Sequence, residues 1–139
     1  MTSGPALRKV DSHSSIHEAA LNEAREITDI LEELLKKEQY EKALETAYIG
    51  VEHWETRTLQ HAASEEEGLY KELAEESAEL NEAVIGLTRD HDLLRLLVEE
   101  IKELLGTEGI NDQVLQRFQA LILVDVLHNQ EEEKILPEH

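Results

Sequence analysis

Two pairs of side chains in the sequence have the spacing of a metal-binding helix face. His61 and Glu65 stand four residues apart, and so do His128 and Glu132. On a helix this spacing puts an imidazole and a carboxylate on the same face, where both can bind one cation. Such nitrogen and oxygen donors suit iron, manganese or zinc, and carboxylates inside a helical bundle can bridge two ions. The chain has no cysteine, which excludes thiolate sites and disulfides.

The elements that must position these pairs are helices. Ala, Leu and Glu dominate the 139 residues and aromatic residues make up only 4% of them, a composition that favours one all-α domain. Ser15 and Glu18 have the spacing of a capping box, and a cap is expected at Asn111 or Asp112. Apolar residues recur at helical intervals in four stretches. We therefore predict a flexible N-terminal arm over residues 1–14 and a bundle over residues 15–139, with helices at about 15–37, 40–73 and 77–105 and a fourth after the cap.

Short connections between these stretches predict an antiparallel, up-down-up-down four-helix bundle. In such a bundle, residues at one level lie equally far from the turn between their helices. One histidine continues the apolar stripe of each helix: His17, His61, His91 and His128. The midpoints between successive histidines fall at residue 39, at residue 76 and between residues 109 and 110, and these are the positions of the predicted turns. Four imidazoles are thus expected in one layer, where a shared metal would compensate for their burial. With the two glutamates they supply six ligands, enough for two ions.

The sequence around the two pairs repeats a longer pattern. Residues 61–70, HAASEEEGLY, and residues 128–137, HNQEEEKILP, share the order His-x3-Glu-Glu-x-x-Leu-aromatic/Pro, and the third helix carries His91-Asp-Leu-Leu-Arg95. These segments resemble hemerythrin-like domains of the HHE cation-binding type, and the resemblance covers about residues 15–137. It implies a hemerythrin-like fold and a non-haem di-iron centre, with two Fe ions bridged by oxo or hydroxo, or Mn or Zn in their place. The ligands that it implies are His17, His61, Glu65, His91, His128 and Glu132.

Two departures from the oxygen-carrying hemerythrins bear on function. Those proteins have a second histidine four residues after the third-helix one and end with His-x4-Asp, whereas this chain has Arg95 and a His-x3-Glu pair. With fewer nitrogen ligands an iron keeps an exchangeable site, so we expect a protein that reacts with or senses oxygen, peroxide or Fe²⁺ and is not a reversible oxygen carrier. Peroxidase, catalase-like or ferroxidase activity stays open. The alternatives are a ferritin-like ferroxidase or encapsulated iron-storage cargo, suggested by the segment at residues 129–133, and a metal-free acidic interaction module.

Charge and hydropathy narrow the partners and the location. The formal net charge of −19 opposes binding to nucleic acid or to anionic membranes. No apolar run reaches the length of a bilayer span, and the first residues lack the apolar core of a signal peptide. We therefore expect a cytoplasmic protein with neither nucleic acid nor membrane as a partner.

Residues near the predicted ligands carry secondary expectations. His13 lies one turn before His17 and could replace it as a ligand. Metal-bound histidines usually donate a hydrogen bond to a second group through the other ring nitrogen. The candidates for this group are three aspartates: Asp90, Asp92 and Asp125. His53 is rotated by about 80° from His61 on ideal geometry and is expected to be exposed or beside the ligands. Glu66 and Glu133 are expected in solvent, Tyr40 and Trp54 in the core, and Tyr70 close to Glu65.

Overall fold

Helices make up the architecture of the computed structural model, in which the backbone is described for residues 5–136 and the side chains for residues 15–136. No strand occurs among these residues, and the all-α prediction is confirmed. None of the described helices has an apolar stretch that could cross a bilayer. In chain order the elements are α1 (Pro5–Lys36), α2 (Tyr40–His53), a π-helical segment (Trp54–Leu59), α3 (Gln60–Glu67), α4 (Leu69–Glu76), α5 (Ala78–Thr107) and α6 (Asp112–Ile135).

The elements from α2 to α4 follow one another without a long loop, so the chain forms four long helical segments. Helix α1 contacts α2 and α6, α5 contacts α4 and α6, and the π-helical segment contacts both α1 and α5. Buried side chains form two apolar clusters between them. The larger cluster includes Leu31, Ala47, Trp54, Val98 and Phe118, and the smaller one consists of Tyr70, Leu73, Val84, Leu87 and Leu136. Along α5, His91 stands between Leu87 of the smaller cluster and Leu94 of the larger.

Local sequence sets the ends of the last two helices. The Ser77 hydroxyl accepts a hydrogen bond from the Leu80 N–H, and the Asn111 side chain accepts from two backbone N–H groups at the start of α6; both are N-caps. Gly109 adopts a φ of 79°, and its N–H donates to the Leu104 carbonyl after α5. The turns predicted near residues 76 and 109 and the cap at Asn111 are therefore confirmed.

Helix α1 begins at Pro5 and not near Ser15, where the capping-box spacing predicts the start. Proline suits the first helical position because its missing N–H has no partner there in any helix, and no glycine or second proline stands between Pro5 and Ser15. Ser15 and Glu18 consequently lie inside the helix, as does the predicted boundary at residue 14. The side chain of His13 lies outside the described residues, so its proposed exchange with His17 stays a prediction.

The second predicted helix, at about residues 40–73, is interrupted twice. Its α-helical hydrogen bonding changes to a π pattern between Trp54 and Leu59, and Gly68 separates α3 from α4. Trp54 is 1% exposed in the larger cluster, as predicted. The core position predicted for Tyr40 is wrong: as the first residue of α2 it lies at the end of the bundle, where it is 50% exposed.

The turn between α1 and α2 generates a stability prediction. Glu38 adopts a φ of 58°, a left-handed conformation that costs a residue with a Cβ about 1 kcal/mol or more. Because its N–H and that of Gln39 bond back to the carbonyls of Leu35 and Leu34, this is a Schellman turn, in which glycine is the preferred residue. We expect Glu38→Gly to unfold with a free energy about 1 kcal/mol higher than Glu38→Ala, in urea titrations of the metal-free protein. Both variants lose the carboxylate, so equal stabilities would contradict the strain.

Candidate metal centre

Six side chains from all four long segments meet in a polar layer between the two apolar clusters. They are the residues that the sequence spacing singles out: His17 from α1, His61 and Glu65 from α3, His91 from α5, and His128 and Glu132 from α6. The donor atoms fall into two sets, each within 4.8 Å of one another. The inner group is Glu65, His91, His128 and Glu132, and the outer group is His17, His61 and Glu65. Either group could hold a metal ion.

Both carboxylates stand between the two groups and reach each of them. Glu65 Oε1 lies 3.3 Å from His91 Nε2, while its Oε2 lies 3.6 Å from His17 Nε2 and 3.8 Å from His61 Nε2. Glu132 Oε2 lies 3.4 Å from His128 Nε2, and its Oε1 lies 3.3 Å from His17 Nδ1. Each glutamate thus presents one oxygen to the inner histidines and the other to the outer ones.

Burial differs between the groups. Every member of the inner group is 4% exposed or less, whereas the side chains of His17 and His61 are 16% and 23% exposed. Ionised carboxylates in a protein interior cost several kcal/mol each unless cationic partners reach them. Imidazole and carboxylate donors together suit Fe, Mn or Zn, so a cation fits the donor set and the charge of this layer.

The ring nitrogens of the inner histidines that face away from the layer contact two further carboxylates. His91 Nδ1 lies 2.7 Å from Glu66 Oε2, and His128 Nδ1 lies 2.9 Å from Asp90 Oδ2. These contacts fix the ring orientations and leave each Nε2 directed at the layer. Of the three candidate aspartates, Asp90 has this role, whereas Asp92 bonds to Arg95 at the surface.

Glu66 corrects an expectation. Its side chain is 25% exposed and pairs with both His91 and Arg95, so the prediction that it lies in solvent is wrong. Glu66 lies in the interior-facing part of α3 next to Glu65, and its long side chain reaches sideways to His91 and Arg95 of α5. The signal that could have found it is the pair of complementary charges at Glu66 and Arg95.

Tyr70 also lies at the layer. Its hydroxyl donates a hydrogen bond to Glu132 Oε2 and lies 3.5 Å from His128 Nε2, and its ring stacks on that of His91. Burial, followed by the nearby carboxylates of Glu132 and Glu65, raises the pKa of the Tyr70 phenol far above its ordinary value of 10. The sequence predicted a place near Glu65, and the hydrogen bond is instead to Glu132.

His53 and Asp125 lie near the layer without belonging to either group. His53 is partly buried, and its Nε2–H donates to the Ala20 carbonyl at 2.9 Å, so it ties the end of α2 to α1. Asp125 is 4% exposed and lies one turn before His128 on α6. Burial raises its pKa to about 6, with the charge of His128 acting in the opposite direction.

No family model, curated protein or solved structure matches the chain.

The Asp90 contact gives a prediction for His128. Burial alone would lower the pKa of this imidazole, but the Glu132 and Asp90 carboxylates outweigh burial and raise it to about 9. We expect Asp90→Asn to move the His128 pKa down towards its ordinary 6.5, measured by NMR titration of the metal-free protein. A raised histidine pKa adds stability below pH 6.5 that is lost as the pH rises through 9. The loss of stability in Asp90→Asn relative to the wild type should therefore be largest below pH 6.5 and smaller above pH 9. The control Asp92→Asn, at the surface, should leave the His128 pKa unchanged.

Asp125 gives a prediction of opposite sign. A carboxyl whose folded pKa is raised from 3.8 to about 6 disfavours folding whenever it is ionised, so this penalty is full above pH 6 and vanishes below pH 4. We expect Asp125→Asn to raise the free energy of unfolding of the metal-free protein at pH 7 by roughly 3 kcal/mol. The gain should shrink as the pH falls to 4. Urea titrations at several pH values measure it, and a gain that does not depend on pH would contradict the argument.

Proposed function

We propose that this chain is a hemerythrin-like protein, folded as an antiparallel up-down-up-down bundle, that binds a non-haem di-iron centre and reacts with or senses oxygen, peroxide or Fe²⁺. One ion is held by the inner group and the other by the outer group. The antiparallel order is supported by the short turns between long segments that contact along their lengths.

The observation that carries the proposal is the position of Glu65 and Glu132 between the two histidine pairs. A carboxylate that directs one oxygen to each of two donor sets is arranged to bridge two ions, as carboxylates do in bundle-core di-iron sites. Both Glu65 and Glu132 direct one oxygen to each histidine pair, and the two residues come from different segments. A single ion would leave one oxygen of each carboxylate facing imidazoles with no role in binding.

The residues of the layer have distinct parts in this function. Glu65 and Glu132 would each bind both ions, while Asp90 and Glu66 fix the orientation of the inner imidazoles. Bound iron supplies one-electron chemistry towards oxygen or peroxide. The exposed fractions of His17 and His61 put the outer group nearer to solvent, so small molecules reach the centre from that side.

Arg95 supports a role other than reversible oxygen carriage. It stands where the carriers have a second histidine on the third helix, and its guanidinium pairs with Glu66 and Asp92, away from the layer. Arg95 therefore adds no nitrogen donor to the inner group. An ion in the inner group would keep a position for an exchangeable ligand, which suits reaction or sensing.

A pair of matched variants tests the metal site. Glu65→Gln removes a bridging charge at nearly constant shape, whereas Glu67→Gln makes the same change at an exposed position two residues away on α3. We expect the wild type and Glu67→Gln to bind two irons per chain and Glu65→Gln one or none, as measured by metal analysis after anaerobic Fe²⁺ loading. The increase in Tm on loading, which corresponds to about 2.7 kcal/mol at a free metal concentration of 100 Kd, should be largely lost in Glu65→Gln alone.

The outcome separates the proposed function from its alternatives. A wild-type protein that takes up no iron, manganese or zinc would leave the metal-free interaction module as the better description. Turnover of Fe²⁺ with mineral formation would favour a ferritin-like ferroxidase. Consumption of peroxide, or a change of the near-ultraviolet absorption of the loaded protein on exposure to oxygen, would support the reactive or sensory function proposed here.

A further inference from the structure

Tyr70 has an environment that packing does not explain. It is 1% exposed on α4, and its ring lies nearly parallel to that of His91, with 5.4 Å between the centroids and 6° between the planes. A phenylalanine would fill the same space. The hydroxyl instead points into the polar layer, where it meets Glu132 Oε2 and His128 Nε2.

Two of the three distances between these atoms match those between donors that share one ion. The phenol and Glu132 oxygens lie closer together, in a hydrogen bond that would lengthen when an ion takes the place of the proton. Atoms bound to a common metal at about 2.1 Å lie roughly 3 to 3.5 Å from one another. Tyr70 Oη is 3.5 Å from His128 Nε2, His128 Nε2 is 3.4 Å from Glu132 Oε2, and the hydroxyl and this carboxylate oxygen are hydrogen-bonded. All three atoms lie at the inner group, which also contains the contact between His91 Nε2 and Glu65 Oε1.

We propose that Tyr70 is a fifth ligand of the inner group and binds a ferric ion there as the phenolate; this inference rests on the metal centre proposed above. On binding, the phenol O–H bond breaks, an oxygen–metal bond forms and the phenol proton leaves for solvent, with no change in oxidation state. His128, which is protonated in the metal-free protein at neutral pH, loses its Nε2 proton in the same event. The hydrogen bond to Glu132 holds the phenol oxygen at the site before the ion arrives. Helix α4 thus contributes to the centre through a residue type that the His-x3-Glu pairs do not contain.

Phenolate ligation favours the ferric state. It adds a third anionic oxygen to those of Glu65 and Glu132, and hard anionic oxygen donors stabilise Fe³⁺ more than Fe²⁺. A centre that rests in the ferric state is suited to reaction with peroxide or to sensing, and is poorly suited to binding and releasing intact oxygen. The inference therefore specifies the oxidation state that the proposed function leaves open.

Two metals provide the test. Gallium(III) has the charge of Fe³⁺ without its redox chemistry or visible absorption. Titration of the metal-free wild type with Ga³⁺ should therefore produce the near-ultraviolet difference spectrum of one ionised tyrosine. Iron loading followed by air should give a visible phenolate-to-ferric charge-transfer band. Its resonance Raman spectrum should contain tyrosine ring modes that shift when ring-deuterated tyrosine is incorporated.

Matched variants assign these signals. Tyr70→Phe should abolish the visible band and the Ga³⁺ difference spectrum while it still binds iron, and its reduction potential should be more positive than that of the wild type. Tyr48→Phe, at a position on α2 that is 51% exposed, should behave as the wild type. Circular dichroism of both variants checks that the helices are intact.

The failures of the two proposals differ. A wild type that binds two irons without tyrosinate modes, or a Tyr70→Phe variant that keeps the visible band, would overturn phenolate ligation and leave the di-iron centre standing. A wild type that binds neither Ga³⁺ nor iron would overturn both. The Ga³⁺ titration needs no variant, so absence of a tyrosinate spectrum in the wild type overturns phenolate ligation even if Tyr70→Phe folds poorly.

Discussion

The burial of Glu65 and Glu132 among histidines is the constraint on which the arrangement of the helices depends. A carboxylate in a protein interior needs charged or hydrogen-bonding partners close by, and here the partners come from all four long segments. A shift of one segment along its neighbour would separate a carboxylate from an imidazole. The polar layer also divides the apolar interior, so that the smaller cluster lies at one end of the bundle and the larger one fills the rest.

The π-helical segment allows one helical stretch to serve both the apolar core and the polar layer. Residues eight apart on an ideal α-helix point in directions that differ by about 80°. Trp54 and Ala62 are eight apart, yet each is 1% exposed, because the wider turns between them take up additional residues. Glu65, one turn beyond Ala62, is thereby directed inward. The interruption at Gly68 begins a separate helix, α4, from which Tyr70 reaches Glu132.

The sequence predicts the layer better than it predicts the surroundings of the layer. The meeting of His17, His61, His91 and His128 follows from apolar periodicity and short turns, because these fix both the direction and the level of a residue on a helix. The contacts of Glu66 and Tyr70 depend on how long side chains reach between segments, which periodicity does not encode. The start of α1 differs from the prediction because Ser15 and Glu18 have capping-box spacing by coincidence within a longer helix.

Electrostatics connects the outer contacts of the inner histidines to the proposed preference for a ferric ion. A carboxylate on the second ring nitrogen raises the basicity of a ligating imidazole, and both inner histidines have one, in Asp90 and Glu66. Basic imidazoles, two bridging carboxylates and a phenolate would all favour the ion of higher charge. Glu66 also pairs with Arg95, whereas Asp90 bonds to His128. The carboxylates of Glu132 and Asp90 raise the pKa of His128 against the effect of burial, and His128 Nε2 lies 3.5 Å from the Tyr70 hydroxyl, so a basic imidazole and the phenol would both act on the proposed inner ion.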